Sequence, residues 1–168
     1  LNWGCIPTKA LLRSAEVFRN MKHAASYGLM ANDVAADLAK IVERSRDVSA
    51  TLSGGIGQLM KKNKVTVFDG EAKLTGKGEL TVTDKDGKAE KLNAKDIILA
   101  TGARARTFPG LEVDGEVVWT YRHALVPNKM PKKLLVVGSG AIGIEFASFY
   151  SELGSKVTVV EVMDRILP

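Results

Sequence analysis

A glycine-rich turn between two strand-like apolar runs constrains the fold of this chain more than any other feature. Residues 133–137 form the first run, the turn Gly138-Ser139-Gly140-Ala141-Ile142-Gly143 follows, and a helical segment continues to about Leu153. Gly154 ends the helix, and residues 156–160 form a second run that stops at Glu161. The order strand, turn, helix, strand predicts a βαβ unit with two parallel strands, and hence an α/β fold class.

The spacing Gly138-x-Gly140-x-x-Gly143 is also the pattern of a dinucleotide-binding turn. Its glycines allow a tight turn, a close approach of the backbone to a pyrophosphate, and close contact between helix and strand. The N–H groups at the start of the helix face the same ligand, and the helix dipole favours its negative charge. All six residues of the turn, 138–143, are therefore candidate cofactor-binding residues.

Glu161 predicts which dinucleotide the turn binds. It stands 23 residues beyond Gly138, close to the separation of about 20 at which an acidic residue hydrogen-bonds the adenosine ribose 2′-hydroxyl. A 2′-phosphate would meet a like charge there, and Arg165 follows only four residues later, so the spacing favours NAD over NADP. The alternative is that Glu161 is an ordinary solvated residue at a strand end.

Cys5, the only cysteine, lies just before a predicted helix that runs from about Thr8 and ends near Gly28. Unpaired backbone N–H groups and the positive end of a helix dipole favour a thiolate at such a position, so Cys5 is a candidate catalytic nucleophile. The alternative is a small buried apolar residue without chemistry. A single cysteine excludes an internal disulfide framework and fits a reducing compartment.

Between these two motifs the apolar pattern changes from helical to strand-like. A second helix is predicted from Val34 to Leu59, although three glycines weaken its last turns. Short strands are predicted at 65–68, 71–75, 79–83 and 89–93, with Asp86-Gly87 as a hairpin turn, followed by a buried central strand at 96–100. Pro109-Gly110 marks a domain boundary, and a polar linker continues to about residue 133.

Composition and charge argue against several partners. The 168 residues carry a formal net charge of +5, but their 24 lysines and arginines are scattered, and 6% aromatic residues give no stacking surface for nucleic acid. No apolar run approaches the roughly 20 residues that span a bilayer, and no leader is expected at the start. His23 and His123 stand in no metal-ligand spacing. We therefore expect no nucleic acid, membrane or metal as a partner.

The first twelve residues read Leu1-Asn2-Trp3-Gly4-Cys5-Ile6-Pro7-Thr8-Lys9-Ala10-Leu11-Leu12. They resemble the redox-active segment of the flavin-dependent pyridine nucleotide-disulfide oxidoreductases, and residues 100–103, 109–110 and 138–161 match the same family in the same order. The resemblance implies that residues 1–110 are part of an FAD-binding Rossmann-like domain with helices and an antiparallel β-meander. Residues 111–168 would then hold a linker and the first βαβ unit, or first half, of an NAD-binding Rossmann domain.

The resemblance also implies a redox role for Cys5. In the family a second cysteine immediately precedes the position of Leu1, and it attacks the sulfur of the substrate. The two cysteines cycle between disulfide and dithiol, while the residue matching Cys5 faces the flavin as a charge-transfer thiolate. The present chain is then expected to be an excerpt of a longer protein.

Several further residues gain implied roles in binding FAD. Lys9 matches the family lysine that approaches the flavin and pairs with the glutamate at the position of Glu145. Residues Thr101, Gly102 and Ala103 match positions that line the flavin cavity. Gly70 matches a glycine near the adenosine part of the flavin, although it also suits an ordinary turn. The implied cofactors are FAD and NAD.

The branch of the family that this chain resembles oxidises protein-bound dihydrolipoamide to lipoamide and reduces NAD. The implied partners are lipoyl domains of 2-oxo acid dehydrogenase complexes or of the glycine cleavage system, and a second copy in a homodimer. The implied location is the bacterial cytoplasm, or the mitochondrial matrix in a eukaryote.

Two kinds of alternative stay open. The first is another enzyme of the family: a disulfide reductase of the glutathione or mercuric type, or a soluble transhydrogenase. Glu161 disfavours the NADP-linked glutathione reductases, and Cys5 disfavours transhydrogenases that lack the cysteine pair. The second is a noncatalytic remnant that binds nucleotide, because the family's remaining catalytic parts lie outside these residues.

Overall fold

The computed structural model describes residues 1–167. The chain forms two compact units. The first consists of residues 1–54 together with those from 105 onward, and the second consists of residues 55–104. In chain order the elements are α1 (Cys5–Lys22), a short 3-10 helix (Ala24–Tyr27), α2 (Leu38–Lys62), β1 (Glu71–Gly76), β2 (Glu79–Thr83), β3 (Ala89–Asn93), α3 (Tyr121–Leu125), β4 (Lys133–Val137), α4 (Ala141–Glu152) and β5 (Lys156–Val160).

In the first unit, β4 and β5 form a two-stranded parallel sheet, with α4 between them along the chain. The register runs from Lys133 opposite Lys156 to Val137 opposite Val160. The Gly138 N–H donates to the Val160 carbonyl oxygen at 2.8 Å and extends the ladder by one bond. Alternate residues of each strand are half-buried, as expected where one face of a sheet lies on a helix. The βαβ unit predicted from the glycine spacing is therefore confirmed.

The core of this unit forms where α1 lies against α4. Leu11 and Ala15 of α1 meet Phe146, Phe149 and Tyr150 of α4, and all five side chains are buried. The rings of Phe149 and Tyr150 stand nearly edge to face, 5.0 Å between centroids, an arrangement that aromatic pairs prefer. This core fixes the helix that begins at Cys5 beside the helix that follows the glycine-rich turn.

The predicted polar linker contains a short helix, α3, that the sequence pattern did not predict. Thr120 caps it reciprocally with His123: the threonine side chain accepts the His123 backbone N–H, and the Thr120 N–H donates to His123 Nδ1 at 3.1 Å. Leu125 is fully buried, and the buried Tyr150 hydroxyl donates to the Ala124 carbonyl oxygen at 2.8 Å. Burial also raises the pKa of Tyr150, so the hydroxyl stays neutral and able to donate.

The boundaries of the two long helices differ from the predicted ones. Helix α1 begins at Cys5, three residues before the predicted start, because the Thr8 N–H and hydroxyl both donate to the Gly4 carbonyl oxygen, at 3.3 and 2.9 Å. Helix α2 continues through its glycines to Lys62. A glycine inside a helix costs about 1 kcal/mol relative to alanine, which weakens a long helix without ending it.

The second unit holds an antiparallel meander of β1, β2 and β3 in that order. Strands β2 and β3 coincide with the predicted strands at 79–83 and 89–93, and the predicted turn lies between them. Asp84 Oδ1 accepts the N–H groups of Asp86 and Lys88, both at 2.9 Å, and Gly87 has a φ of 81°. The predicted meander is therefore confirmed for three of its four strands, those at 71–75, 79–83 and 89–93.

Two predicted strands are wrong. Residues 65–68 and 96–100 have no strand conformation, and neither segment joins a sheet among the residues described. Residues 96–100 are also not buried, since Ile98 and Leu99 are 91% and 70% exposed. An apolar run shows that residues suit a strand, but a strand forms only where a neighbouring chain supplies ladder hydrogen bonds.

The predicted domain boundary at Pro109-Gly110 stays a prediction. An isolated β-bridge pairs Phe108 with Leu111 on either side of these two residues.

None of the helices within residues 1–167 combines the length and the apolar character needed to cross a membrane.

Candidate functional site

The glycine-rich turn lies between the end of β4 and the start of α4, and its three glycines differ in their surroundings. Gly138 has a φ of 99°, in the left-handed region that favours glycine. A Cβ at Gly143 would overlap the Gly138 carbonyl oxygen and lie 3.2 Å from Val136 Cγ1, so this glycine lets α4 lie against β4. A Cβ at Gly140 would meet no atom within 4 Å. The turn is therefore tight on the strand side and open at Gly140, which fits a group that approaches the backbone closely.

The start of α4 offers hydrogen-bond donors beside this open side. Gly140 is the N-cap, and no side chain caps the helix. By helix geometry the N–H groups of Ala141, Ile142 and Gly143 have no partner within the helix, and Ala141 and Ile142 are exposed. Free N–H groups and the positive end of the helix dipole favour an anion. The residues present thus fit the pyrophosphate of a dinucleotide.

The carboxylate of Glu161 lies against the same turn. Its Oε2 accepts the backbone N–H of Ser139 at 2.7 Å and the Ser139 hydroxyl at 2.8 Å. Its Oε1 accepts the N–H groups of Val162 at 2.7 Å and Met163 at 3.0 Å. The hydrogen bonds from Met163 and Ser139, followed by that from Val162, lower the pKa of Glu161 to about 2. The carboxylate is therefore negatively charged at neutral pH.

Cys5 is the first residue of α1, and its side chain is exposed. The N-cap is Gly4, which has no side chain to cap the helix, and the first turn Cys5-Ile6-Pro7-Thr8 contains no acidic residue. The thiol therefore stands exposed at the start of a helix, as predicted.

Residues of α2 and α3 contact Asn2 and Trp3, which lie just before Cys5. The sequence analysis did not identify these contact residues. Arg46 Nη1 donates to the Asn2 carbonyl oxygen at 2.7 Å, and the Ser53 hydroxyl donates to Asn2 Oδ1 at 2.8 Å. The guanidinium carbons of Arg46 and Arg122 each lie 5.0 Å from the Trp3 ring centroid, within cation–π distance. The sequence showed only that Trp3 lies two residues before Cys5. It could not show the arginines that contact Trp3, because they are 43 or more residues away.

An ion pair connects α1, which begins at Cys5, with α4, which follows the glycine-rich turn. Lys9 Nζ of α1 bonds to Glu145 Oε1 of α4, and their side chains are 63% and 26% exposed. A second pair, Arg19 with Glu152 at 3.2 Å, links the same helices. Exposed pairs contribute about 0–1 kcal/mol each, so these pairs add little to the buried core that holds α1 against α4. The structure thus brings Lys9 and Glu145 together, while their role towards a flavin stays a prediction.

The other predicted flavin-site residues lie in the second unit. Thr101, Gly102 and Ala103 are exposed in irregular chain, with Gly102 at a φ of 79°. Gly70 precedes β1, and a Cβ there would lie 2.8 Å from the Thr83 carbonyl carbon. Close passage beside β2 therefore accounts for a glycine at position 70 without a ligand, and the binding roles of all four residues stay predictions.

Both histidines make hydrogen bonds at helix ends, His23 at the end of α1 and His123 at the start of α3. His23 Nδ1 lies 2.8 Å from the Arg19 carbonyl oxygen, and His123 completes the cap of α3. Within residues 1–167, no group of three or more histidine, cysteine, aspartate or glutamate side chains is arranged to hold a metal ion.

The chain is similar to known enzymes over its whole length. It is 55% identical over 168 residues to the dihydrolipoyl dehydrogenase of Zymomonas mobilis, covering 100% of this chain and 36% of that protein. It is 40% identical over 169 residues to the mitochondrial dihydrolipoyl dehydrogenase of Sus scrofa, covering 99% of this chain and 33% of that protein. The chain thus spans about a third of the length of these relatives.

Solved structures show the same fold. The crystal structure of LpdA from Mycobacterium tuberculosis matches with a TM-score of 0.90 at 30% identity, covering 99% of this chain and 37% of that one. The HOCl-induced flavoprotein disulfide reductase RclA from Escherichia coli matches with a TM-score of 0.77 at 27% identity, covering 99% and 34%. The family model described as pyridine nucleotide-disulphide oxidoreductase matches residues 1–168. With a cysteine at the start of α1, a glycine-rich turn of dinucleotide-binding type and this match over residues 1–168, the chain belongs to the pyridine nucleotide-disulphide oxidoreductase family.

Proposed function

We propose that this chain is part of an NAD-dependent dihydrolipoyl dehydrogenase, which oxidises protein-bound dihydrolipoamide to lipoamide. The observation that carries the proposal is the ion pair between Lys9 and Glu145. Together with the buried core that α1 and α4 share, it joins the helix that begins with Cys5 to the helix that begins at the glycine-rich turn. The thiol that we propose as redox-active and the turn that we propose as NAD-binding thus lie in one compact unit. Identities of 55%, 54% and 52% to bacterial dihydrolipoyl dehydrogenases support dihydrolipoamide as the substrate.

Cys5 is one half of the redox-active disulfide in this proposal. By family resemblance, the other half immediately precedes the position of Leu1. Over the whole reaction, dihydrolipoamide loses two electrons and two protons, NAD takes up a hydride, and one proton is released. The thiol pair returns to its starting state after each turnover, so Cys5 acts as an electron carrier and is not consumed.

FAD is the first proposed cofactor, and when bound it supplies two-electron redox chemistry between the dithiol and the nicotinamide. Lys9 would bring positive charge to the flavin, and Glu145 would hold the ammonium in place. By family resemblance alone, residues 101–103 and Gly70 are also assigned to FAD binding.

NAD is the second proposed cofactor. Its pyrophosphate would bind at residues 138–143, where the open side of Gly140 and the N–H groups of α4 fit an anion. Glu161 would recognise the adenosine ribose, and its negative charge would disfavour the 2′-phosphate of NADP. In this assignment residues 111–168 form the first half of the NAD-binding domain, and residues 1–110 form part of the FAD-binding domain.

The proposed partners are lipoyl domains of 2-oxo acid dehydrogenase complexes or of the glycine cleavage system, which carry the dihydrolipoamide group. A second copy of the full-length protein would complete a homodimer. The relatives include bacterial and mitochondrial proteins, and we place this protein in the bacterial cytoplasm or, in a eukaryote, in the mitochondrial matrix.

The second candidate is another disulfide reductase of the same family. The structural similarity to RclA, with a TM-score of 0.77, supports this second candidate. Identity separates the two candidates, because RclA is 27% identical to this chain and the dihydrolipoyl dehydrogenase of Zymomonas mobilis is 55% identical.

Steady-state assays of the full-length protein test the proposal. Dihydrolipoamide should reduce NAD faster than NADP, and glutathione disulfide should not be reduced by NADPH. Cys5→Ser should abolish dihydrolipoamide oxidation without loss of NADH binding, because a hydroxyl cannot cycle between dithiol and disulfide. Ser14→Ala on the same helix is the matched control and should keep full activity. Turnover with glutathione disulfide but not with dihydrolipoamide would favour the second candidate.

A further inference from the structure

The carboxylate of Glu161 already has as many donors as it can readily accept. A carboxylate offers two oxygens and about four lone-pair sites. Oε2 takes the N–H and the hydroxyl of Ser139, and Oε1 takes the N–H groups of Val162 and Met163, all at 2.7–3.0 Å. A ribose hydroxyl that binds Glu161 must therefore displace one of these four donors.

The four donors are not equally easy to displace. Three are backbone N–H groups, whose positions are set by the glycine-rich turn and by the chain that leaves β5. The fourth is the Ser139 hydroxyl, whose hydrogen can turn away from Glu161 by rotation about the Cβ–Oγ bond while the backbone stays fixed. Ser139 itself is fully buried, and its carbonyl oxygen accepts the Leu167 N–H at 3.2 Å, so its backbone is held from both sides.

We propose that the Ser139 hydroxyl occupies the acceptor site on Glu161 that the adenosine ribose 2′-hydroxyl needs, and so acts as an internal competitor that lowers nucleotide affinity. This inference rests on the proposed function, because it takes NAD as the ligand of the turn. The backbone N–H of Ser139 keeps Glu161 aimed at the turn, while the hydroxyl gives way when the ribose binds. Ser139 is thus a residue that sets affinity, and the Glu161 carboxylate keeps its four donors when no nucleotide is bound.

Removal of the hydroxyl should therefore tighten binding. In Ser139→Ala the backbone N–H still donates to Glu161, and the freed acceptor site takes the ribose hydroxyl without a competing bond. We expect ADP-ribose to bind about threefold to tenfold more tightly, the range that one net hydrogen bond gives. An alternative role, in which the hydroxyl helps to orient Glu161, predicts weaker binding instead.

The test is calorimetric titration of the full-length protein with two probes: ADP-ribose, and the analogue whose adenosine ribose lacks the 2′-hydroxyl. Ser139→Ala should gain affinity for ADP-ribose and not for the analogue. Ser155→Ala is the matched control, because it also removes a buried serine hydroxyl, one that donates to the Pro131 carbonyl oxygen away from the turn. It should change neither affinity. Ser139→Gly, which also lacks the hydroxyl, replaces Ser139→Ala if that variant does not fold.

Three results would overturn the inference. Unchanged or weaker binding of ADP-ribose to Ser139→Ala shows that the hydroxyl does not compete. An equal gain for both probes shows that the gain does not involve the 2′-hydroxyl. A wild-type protein that binds neither probe removes the proposed nucleotide site, and the inference falls with it. The first two results leave the proposed function intact, because the wild-type protein still binds nucleotide.

Discussion

Two glycines of the turn, three residues apart, should respond to alanine in opposite ways. At Gly143 an added methyl group would overlap the Gly138 carbonyl oxygen and lie 3.2 Å from Val136 Cγ1. At Gly140 it would meet nothing within 4 Å. Gly143→Ala should therefore destabilise the fold, whereas Gly140→Ala should keep the fold and weaken nucleotide binding.

The expected size follows from the local geometry. Overpacking costs about 1–3 kcal/mol, and the upper part of this range, about 2–3 kcal/mol, applies at Gly143 because the overlapped atom is a backbone oxygen. Alanine returns at most about 1 kcal/mol through its better helix propensity. The net loss of roughly 1–2 kcal/mol should lower the melting temperature by about 2–8 °C. Gly140 is an N-cap without left-handed φ. Alanine there is a poorer cap by about 0.5–1 kcal/mol, and this loss roughly cancels the gain of about 0.4–1 kcal/mol from a less flexible unfolded chain.

Gly140→Ala, which should change stability less than Gly143→Ala, should weaken nucleotide binding more. A methyl group at Gly140 would stand between the backbone and the pyrophosphate and remove about one charge-assisted hydrogen bond, about 1.5–3 kcal/mol or at least about tenfold in NADH affinity. Thermal unfolding and fluorescence titration with NADH, both on the full-length protein, measure the two quantities. A Gly143→Ala protein as stable as wild type would refute the packing argument. A Gly140→Ala protein with wild-type NADH affinity would refute the assignment of the open side to the ligand.

Two further predictions concern the core and the strand end. Tyr150→Phe should cost about 1–2 kcal/mol of stability, seen as a lower melting temperature with unchanged NADH affinity, because it leaves the Ala124 carbonyl oxygen without its donor; an unchanged melting temperature would contradict this. The pKa of Glu161 lies at about 2, below its ordinary value of 4.5, so its contribution to stability is present above pH 4.5 and is lost as the pH falls towards 2. Between about pH 6 and about pH 3, the melting temperature of the wild type should therefore fall more than that of Glu161→Gln, and equal falls would show that Glu161 adds no acid-sensitive stability.

Local sequence patterns predicted those elements whose physical causes are local. The strands at 79–83 and 89–93, the turn at Gly87 and the βαβ unit follow from periodicity, turn residues and glycine spacing, and the structure contains each of them. Residues 65–68 and 96–100 have equally suitable composition, but no neighbouring strand among the described residues completes a ladder. Helix α3 was missed because its five residues depend on a reciprocal cap and on the burial of Leu125, and not on a long periodic pattern.

Some features of the candidate site also follow from local sequence, and the others depend on tertiary contacts. The sequence by itself determined the glycine-rich turn, the acid at position 161 and the cysteine at a helix start, because each rests on spacing within a short segment. Only the tertiary structure decided that Ser139 fills an acceptor site of Glu161 and that Arg46 and Arg122 approach Trp3. It also brought Lys9 to Glu145, 136 residues away. Such contacts depend on how distant elements meet around the shared core, and spacing along the chain carries no information about that geometry.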